Sequence, residues 1–297
     1  MPRLPEPDRL DDNPRDDASV RHLIDLGYVD LEAVAAREAA VRRQLEAEFQ
    51  QAAKVYEQGD IDGATRLYER LSADDPEWIA PRQLLAEMYY RTGRIAESRV
   101  QLDWLTEHAV EHPRLALLSG AIALSGRNLP EAVDALKYAA HVEPTLPSVH
   151  TLLGIALLRS ADIEGAAKAF QRALERSEAD AQAVDGLAAV CLRRKDFVGA
   201  ANYALEALDR DIGVFSGHYH LGVALANMDR PRDAIAAFEN AARINVNAAA
   251  PYRRLQRIAE SLGDAALAAQ YRERGRQVVR RRRQSLERAC RGSSGKE

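Results

Sequence analysis

Two histidines four residues apart, His108 and His112, are the nearest this sequence comes to a metal site. On a helix that spacing turns both imidazoles to one face, where they could share an ion. No third ligand stands at a matching interval, so the pair is expected to be a polar helix end and no metal is expected. His218 and His220 are two apart, and side chains two apart do not share a helical face. Carboxylate pairs such as Glu206 and Asp209 read as solvated charges on a helical surface. A glycine-rich phosphate loop, a cysteine pair at zinc spacing and a nucleophile beside a base are all missing, so no catalytic residue and no cofactor are expected. The sharpest charged feature is Arg280-Arg281-Arg282-Arg283, preceded by Arg272, Arg274 and Arg276. Such a run can grip nucleic-acid phosphates or anionic lipid. Aromatic residues are absent after Tyr271, and stacking on bases needs them. A solvated helix end is therefore expected, with Leu267, Tyr271 and Val278 as its buried stripe.

What must position these side chains is a period of 34. Strides of that length from Ala132 reach Ala166, Ala200, Ala234 and Ala268, and backward strides reach Ser98 and Ala64. A second small-residue column runs Ala139, Ala173, Ala207, Ala241 and Gly275. A third runs Ala52, Ala86, Gly120, Gly154, Ala188 and Gly222, with Leu85, Leu153, Leu187, Leu221 and Leu255 holding the place before it. Self-similarity at this period marks stacked pairs of helices. Small residues let helix axes approach to roughly 8 Å, and large ones such as Tyr68, Phe170 and Phe238 fill the space between neighbours.

A chain of 297 residues could hold two ordinary domains, but a repeat array grows by addition and needs no second core. Aromatics are only 6%, and no window approaches the length of apolar sequence a membrane span requires. Met1-Pro2-Arg3-Leu4-Pro5-Glu6-Pro7-Asp8 is polar and proline-rich, unlike a signal peptide, so a cytoplasmic chain is expected. Two cysteines, Cys191 and Cys290, cannot build a disulfide framework, in keeping with a reducing compartment. The formal charge of −4 is uneven: residues 271–297 hold ten Arg or Lys against three Glu, and the remainder sums to −11.

Residues 1–19 are expected to be a flexible leader and 20–44 an N-terminal lead-in, helical from Leu31. Seven units then tile the chain at 45–78, 79–112, 113–146, 147–180, 181–214, 215–248 and 249–282, with a basic tail at 283–297. Each unit should be helix, turn, helix. The turns fall at Gln58-Gly59-Asp60, Arg91-Thr92-Gly93, Ser125-Gly126-Arg127-Asn128 and Leu262-Gly263-Asp264, with Asp60, Asp162, Asp196 and Asp264 as N-caps. Pro130 and Pro231 suit the first turn of a second helix, and Pro76 and Pro144 close their units.

On these in-phase units, typified by Leu153-Gly154, Ala166, Phe170 and Ala173, residues 45–282 resemble the tetratricopeptide repeat (TPR) superfamily. The resemblance implies an all-α, right-handed superhelical solenoid whose first helices line an inner groove that binds other proteins, and it implies no catalysis. The last unit fits least well, with Gln256 and Gly275 in place of the usual residues, as a capping repeat should.

In each first helix the inward set follows from the spacing i, i+4, i+7. That gives Leu117, Ala121 and Leu124; Thr151, Ile155 and Leu158; Asp185, Ala189 and Leu192; and Tyr219, Val223 and Ala226. The flanks offer Gln83, Glu87 and Tyr90 on one side and Arg253, Arg257 and Glu260 on the other. Some TPR proteins capture a carboxylate end with inward lysine and asparagine, but Leu117, Ala121, Thr151, Ile155, Asp185 and Ala189 stand at those places here. The expected ligand is an apolar helix or extended segment of a partner protein along Leu117, Leu124, Ile155, Leu158, Leu192, Tyr219 and Val223, its acidic end held by Arg253 and Arg257. The bland reading is that Leu124, Leu158 and Leu192 only pack against the next repeat. A third is that His22-Leu23-Ile24-Asp25-Leu26-Gly27-Tyr28 fills the groove, in its own molecule or in a second one as a homodimer.

The leader carries a second resemblance. Leu4-Pro5-Glu6-Pro7, Asp12-Asn13-Pro14 and Leu23 to Val29 look like the join that follows the catalytic part of alkaline-phosphatase-like proteins with C-terminal TPR arrays. That likeness implies the interaction half, or a relative, of such a hydrolase. The metal-binding Asp and His residues and the nucleophile of that family have no counterparts here, so hydrolysis is not expected.

Overall fold

The computed structural model describes residues 31–108, 110–146 and 148–293. The leader at 1–19 and the cluster at 20–29, with the groove-filling role and the hydrolase-like join expected of them, lie outside these residues. The described residues form fourteen helices: α1 (Leu31–Glu57), α2 (Ile61–Asp74), α3 (Ile79–Arg91), α4 (Ile95–Glu107), α5 (Pro113–Ser125), α6 (Leu129–Val142), α7 (Val149–Arg159), α8 (Ile163–Arg176), α9 (Ala181–Arg194), α10 (Phe197–Arg210), α11 (Phe215–Asn227), α12 (Pro231–Ile244), α13 (Ala250–Ser261) and α14 (Ala265–Ser293). No strand occurs among them. The chain divides into two compact bodies at Leu105 and Thr106.

The second helix of each pair begins at Ile61, Ile95, Leu129, Ile163, Phe197, Pro231 and Ala265, each 34 residues after the last. The cause is local and repeats with the period. Four of the turns end on an aspartate whose carboxylate accepts from a first-turn amide: Asp60 from Gly63 at 2.8 Å, Asp162 from Gly165 at 2.8 Å, Asp196 from Gly199 at 2.9 Å and Asp264 from Leu267 at 2.9 Å. Each satisfies an amide that the helix start would otherwise leave without a partner. One position in every turn is left-handed, again at a stride of 34: Gly59, Gly93, Arg127, Ala161, Lys195, Asp229 and Gly263 all have positive φ.

Helix α1 runs unbroken through the boundary expected at 44/45, and α14 continues past 283 to Ser293. Both stretches are rich in Ala, Glu, Gln and Arg, strong helix formers with no proline to interrupt them.

In the N-terminal body, Tyr68, Leu71, Leu85, Met88 and Tyr89 form the core with Ala52 and Ala64. The Phe49 ring meets Tyr68 edge-on at 5.2 Å. Ser98, which interrupts the alanine column, is fully buried and donates its hydroxyl proton to the Ala86 carbonyl at 2.6 Å, so its polar atom is satisfied.

In the C-terminal body each helix from α5 to α14 packs on the next, and α5, α7, α9 and α11 also touch in succession. The glycine column explains the closeness. A Cβ on Gly120 would lie 2.5 Å from Leu136 Cγ, one on Gly154 would lie 2.6 Å from Phe170 Cε1, and one on Gly222 would lie 2.9 Å from Phe238. Leu136, Phe170 and Phe238 are fully buried, each wedged against the helix backbone that the missing side chain exposes.

Candidate functional site

The first helices of the C-terminal body, α5, α7, α9, α11 and α13, carry twelve of the thirteen residues expected to line a groove; Tyr90 lies on α3 in the other body, half-buried. Leu117, Ile155, Leu158, Leu192, Tyr219 and Val223 are half-buried, with one side packed on the core clusters and the other open. Leu124 is only 6% exposed and forms, with Ile155 and Leu129, the apolar wall of an open cleft of about 670 Å³ whose polar wall is Ser125, Arg127 and Arg159. Ala121 is buried within α5.

Two of the expected contact residues are committed to the fold. Thr151 is 1% exposed and donates to the Asp180 carboxylate at 2.6 Å, tying α7 to the cap of α9. The same aspartate accepts from the Ala183 amide at 3.0 Å. Asp185 is 6% exposed, and its Oδ1 lies 2.7 Å from His220 Nδ1 on α11.

That last pair belongs to a ladder. Successive first helices are joined by contacts 35 residues apart. The Arg91 guanidinium donates to the Tyr56 hydroxyl in the N-terminal body. In the C-terminal body Arg159 donates to the Leu124 carbonyl at 3.1 Å, Asp185 meets His220, and Arg254 Nε donates to the Tyr219 hydroxyl at 3.3 Å. Tyr219 is further held by an edge-on contact with Phe238 at 5.4 Å and a stacked one with Phe215 at 6.2 Å. The rungs fix the orientation of the half-buried apolar side chains between them, and five participants, Tyr56, Arg91, Arg159, His220 and Arg254, were not among the expected residues. The stride of 35 that joins them was present in the sequence as the pairs Tyr56/Arg91 and Tyr219/Arg254.

The arginines expected to act together lie in different clefts. Arg257 lines a small cleft of about 130 Å³ beside Val223, Ala226, Arg254 and Ile258. Arg253 lines another, against α14.

The histidines do not form a metal pair. His108 and His112 were expected on one helix, but α4 ends at Glu107 and His112 is the N-cap of α5, with φ −144° and ψ 129°. Pro113 forces this, because a residue before proline is pushed out of the helical region. His112 Nδ1 instead accepts from the Arg114 amide at 3.2 Å. His218 Nε2 is 3.0 Å from the Ile212 carbonyl, pointing away from the His220–Asp185 pair. Among the described residues no three His, Cys, Asp or Glu side chains are grouped to hold a metal, and no helix is long and apolar enough to cross a membrane. Burial pushes the Cys191 thiol up and so keeps it from ionising.

The sequence profile described as tetratricopeptide repeat matches residues 55–122, and a second of the same description matches residues 151–214. No curated protein matches the sequence. Among solved structures, a tetratricopeptide repeat protein from Parabacteroides merdae is similar with a TM-score of 0.63 at 14% identity, over 80% of this chain and 93% of its own. Cut9–Hcn1, from the APC/C hetero-tetramer, is similar with a TM-score of 0.61 at 16% identity, over 72% of this chain and 42% of the other. PilF of Pseudomonas aeruginosa gives 0.50 at 20% identity, over 56% and 76%. At these identities the likeness is one of fold.

Proposed function

We propose, on the match of residues 55–122 and 151–214 to tetratricopeptide-repeat profiles, that the chain is a non-catalytic scaffold of that superfamily whose first helices hold a peptide or helix of a partner protein. The repeat boundaries we infer are the seven units from 45–78 to 249–282, each with the recurrent left-handed residue within its turn. The observation that carries the binding reading is the row of half-buried apolar side chains on consecutive first helices, Ile155, Leu158, Leu192 and Val223. They retain open surface while the polar residues among them, Thr151 and Asp185, are used internally. Apolar surface lying between rungs that prevent rearrangement is suited to a helix laid in a groove, since little side-chain freedom is lost on binding. Arg257, beside Val223, is placed to meet an acidic residue of the ligand.

Photo-crosslinking in cells tests this. A benzophenone side chain at Leu158 should capture a discrete partner, whereas one at Val198, exposed on the second helix α10, should not. Capture from Val198 with none from Leu158 would move binding to the opposite face and overturn the proposal.

A further inference from the structure

The last helix pair departs from the rule that packs all the others. Position 272 is Arg, where in earlier units Leu136, Phe170 and Phe238 wedge against the glycine of their own first helix; position 276 is Arg, where Ala140, Leu174, Leu208 and Ala242 stand; and Gly275 replaces the alanine column. In earlier units these places face the next helix pair. Here Arg272, Arg276 and Arg280 are exposed, Val279 beside them is 55% exposed, and Gly275 is half-buried against Tyr252. Together with Tyr252 and Arg253 of α13 they enclose a cleft of about 470 Å³. Its floor is apolar and its rim is guanidinium. Arg272 is drawn to Glu260 at 3.1 Å, while among the described residues no carboxylate pairs with Arg253, Arg276 or Arg280.

We propose that this terminal cleft docks an acidic helix of a partner protein, separately from the groove on the first helices. Arg272, Arg276 and Arg280 are four residues apart, so they stand about 6 Å apart along α14. A helix with Glu or Asp at every fourth residue presents carboxylates at the same interval, and its apolar flank covers Gly275 and Val279. Guanidinium–carboxylate pairs formed over an apolar floor are charge-assisted and shielded from water. A long polyanion fits less well. Outside residues 271–297 the chain carries −11, which repels a nucleic acid extending beyond the cleft. Of the two tyrosines that line the cleft, Tyr271 is buried with its hydroxyl donated to Glu239 at 2.7 Å, which leaves only the half-buried Tyr252 for a base to stack on.

The test is fluorescence anisotropy with the full chain and a labelled helical peptide of about four turns, bearing Glu at every fourth position with Leu beside it. Its Gln-for-Glu counterpart, single-stranded DNA and phosphatidylserine vesicles are the comparisons. The Glu peptide should bind at least about tenfold more tightly than the Gln peptide, and an R276E/R280E variant should lose at least that factor. Circular dichroism checks that the variant keeps its helicity, and R276Q/R280Q serves if it does not. Crosslinking from Leu158 should be the same in both, which separates this site from the groove. Equal binding of the two peptides, binding unaffected by the substitutions, or an arginine-dependent preference for DNA or vesicles over the Glu peptide would each overturn the proposal.

Discussion

The ring of Phe170 lies against the backbone of Gly186 so closely that a Cβ there would sit 2.4 Å from both Cε1 and Cζ. Gly154 stands against the same ring from the preceding first helix, so one aromatic residue of α8 spaces α7 and α9 at once.

Gly186→Ala is expected to destabilise the chain. Alanine gains about 0.8–1 kcal/mol of helix propensity over glycine, but forcing a methyl into the fully buried Phe170 costs about 1–3 kcal/mol, so the overpacking should win. Phe170→Leu in the same chain should recover part of the loss. Urea denaturation of the two single variants and the double one measures the coupling, and strict additivity would mean the ring is not the obstacle.

The left-handed turn positions make the opposite kind of prediction. Ala161 has φ +66° where Gly59, Gly93 and Gly263 occupy the equivalent place. A left-handed L-residue is strained by roughly 1–2 kcal/mol, and the extra freedom of an unfolded glycine returns about half of that. Ala161→Gly should therefore raise stability by about 0.5–1 kcal/mol, seen as a rise in Tm; a fall would show that the turn carries no such strain.

The rung between the buried Asp185 and the half-buried His220 should behave as a unit. Removing His220 leaves the buried Asp185 carboxylate without this partner, at a cost of about 1–3 kcal/mol, while removing Asp185 leaves a half-buried imidazole that water can reach, at a smaller cost. Asp185→Ala and His220→Ala should each be destabilising, and the double variant should lose distinctly less than their sum. Denaturation midpoints of the four chains test this directly.

Acid should loosen the C-terminal body through His150. This side chain is buried, its Nδ1 has no hydrogen-bond partner, and burial holds its pKa below the usual histidine value. Arg172 and Arg176 press in the same direction, while Glu175 and the Pro144 carbonyl oppose it. The unfolded chain then binds the proton more readily than the folded one, so stability falls as pH drops through about 6.5 and toward the lower folded value. His150→Leu should show a smaller drop in Tm between neutral and mildly acid solution; an unchanged drop would assign the acid sensitivity elsewhere.

Much of the fold was legible because its causes are local and recur. An Asp cap and a left-handed turn residue at a stride of 34 are visible without knowing what packs on what. The surface was less legible, because whether a first-helix residue is open depends on the next unit. The spacing i, i+4, i+7 within one helix placed Thr151 and Asp185 on the inward face, but their partners lie 29 and 35 residues on, at Asp180 and His220. Likewise Arg253 and Arg257 share a face of α13 by arithmetic, yet α14 covers only one side of it and parts them into two clefts. His112 is a different case, since the proline after it was sufficient signal that the helix could not pass through.

The stride shared by caps, turns and wedges also makes the length of the array a free variable. Excision of residues 147–180 would bring Ala188 to the place Gly154 holds and Gly186 to that of Leu152, with Leu136 as the wedge before them, and every later column would keep its phase. Duplication of the same segment would do the reverse. The sequence is written in units of one length, so such an array can be lengthened or shortened with one new junction while every other interface stays as it is, and the surface offered to a partner can be varied while the manner of folding stays the same.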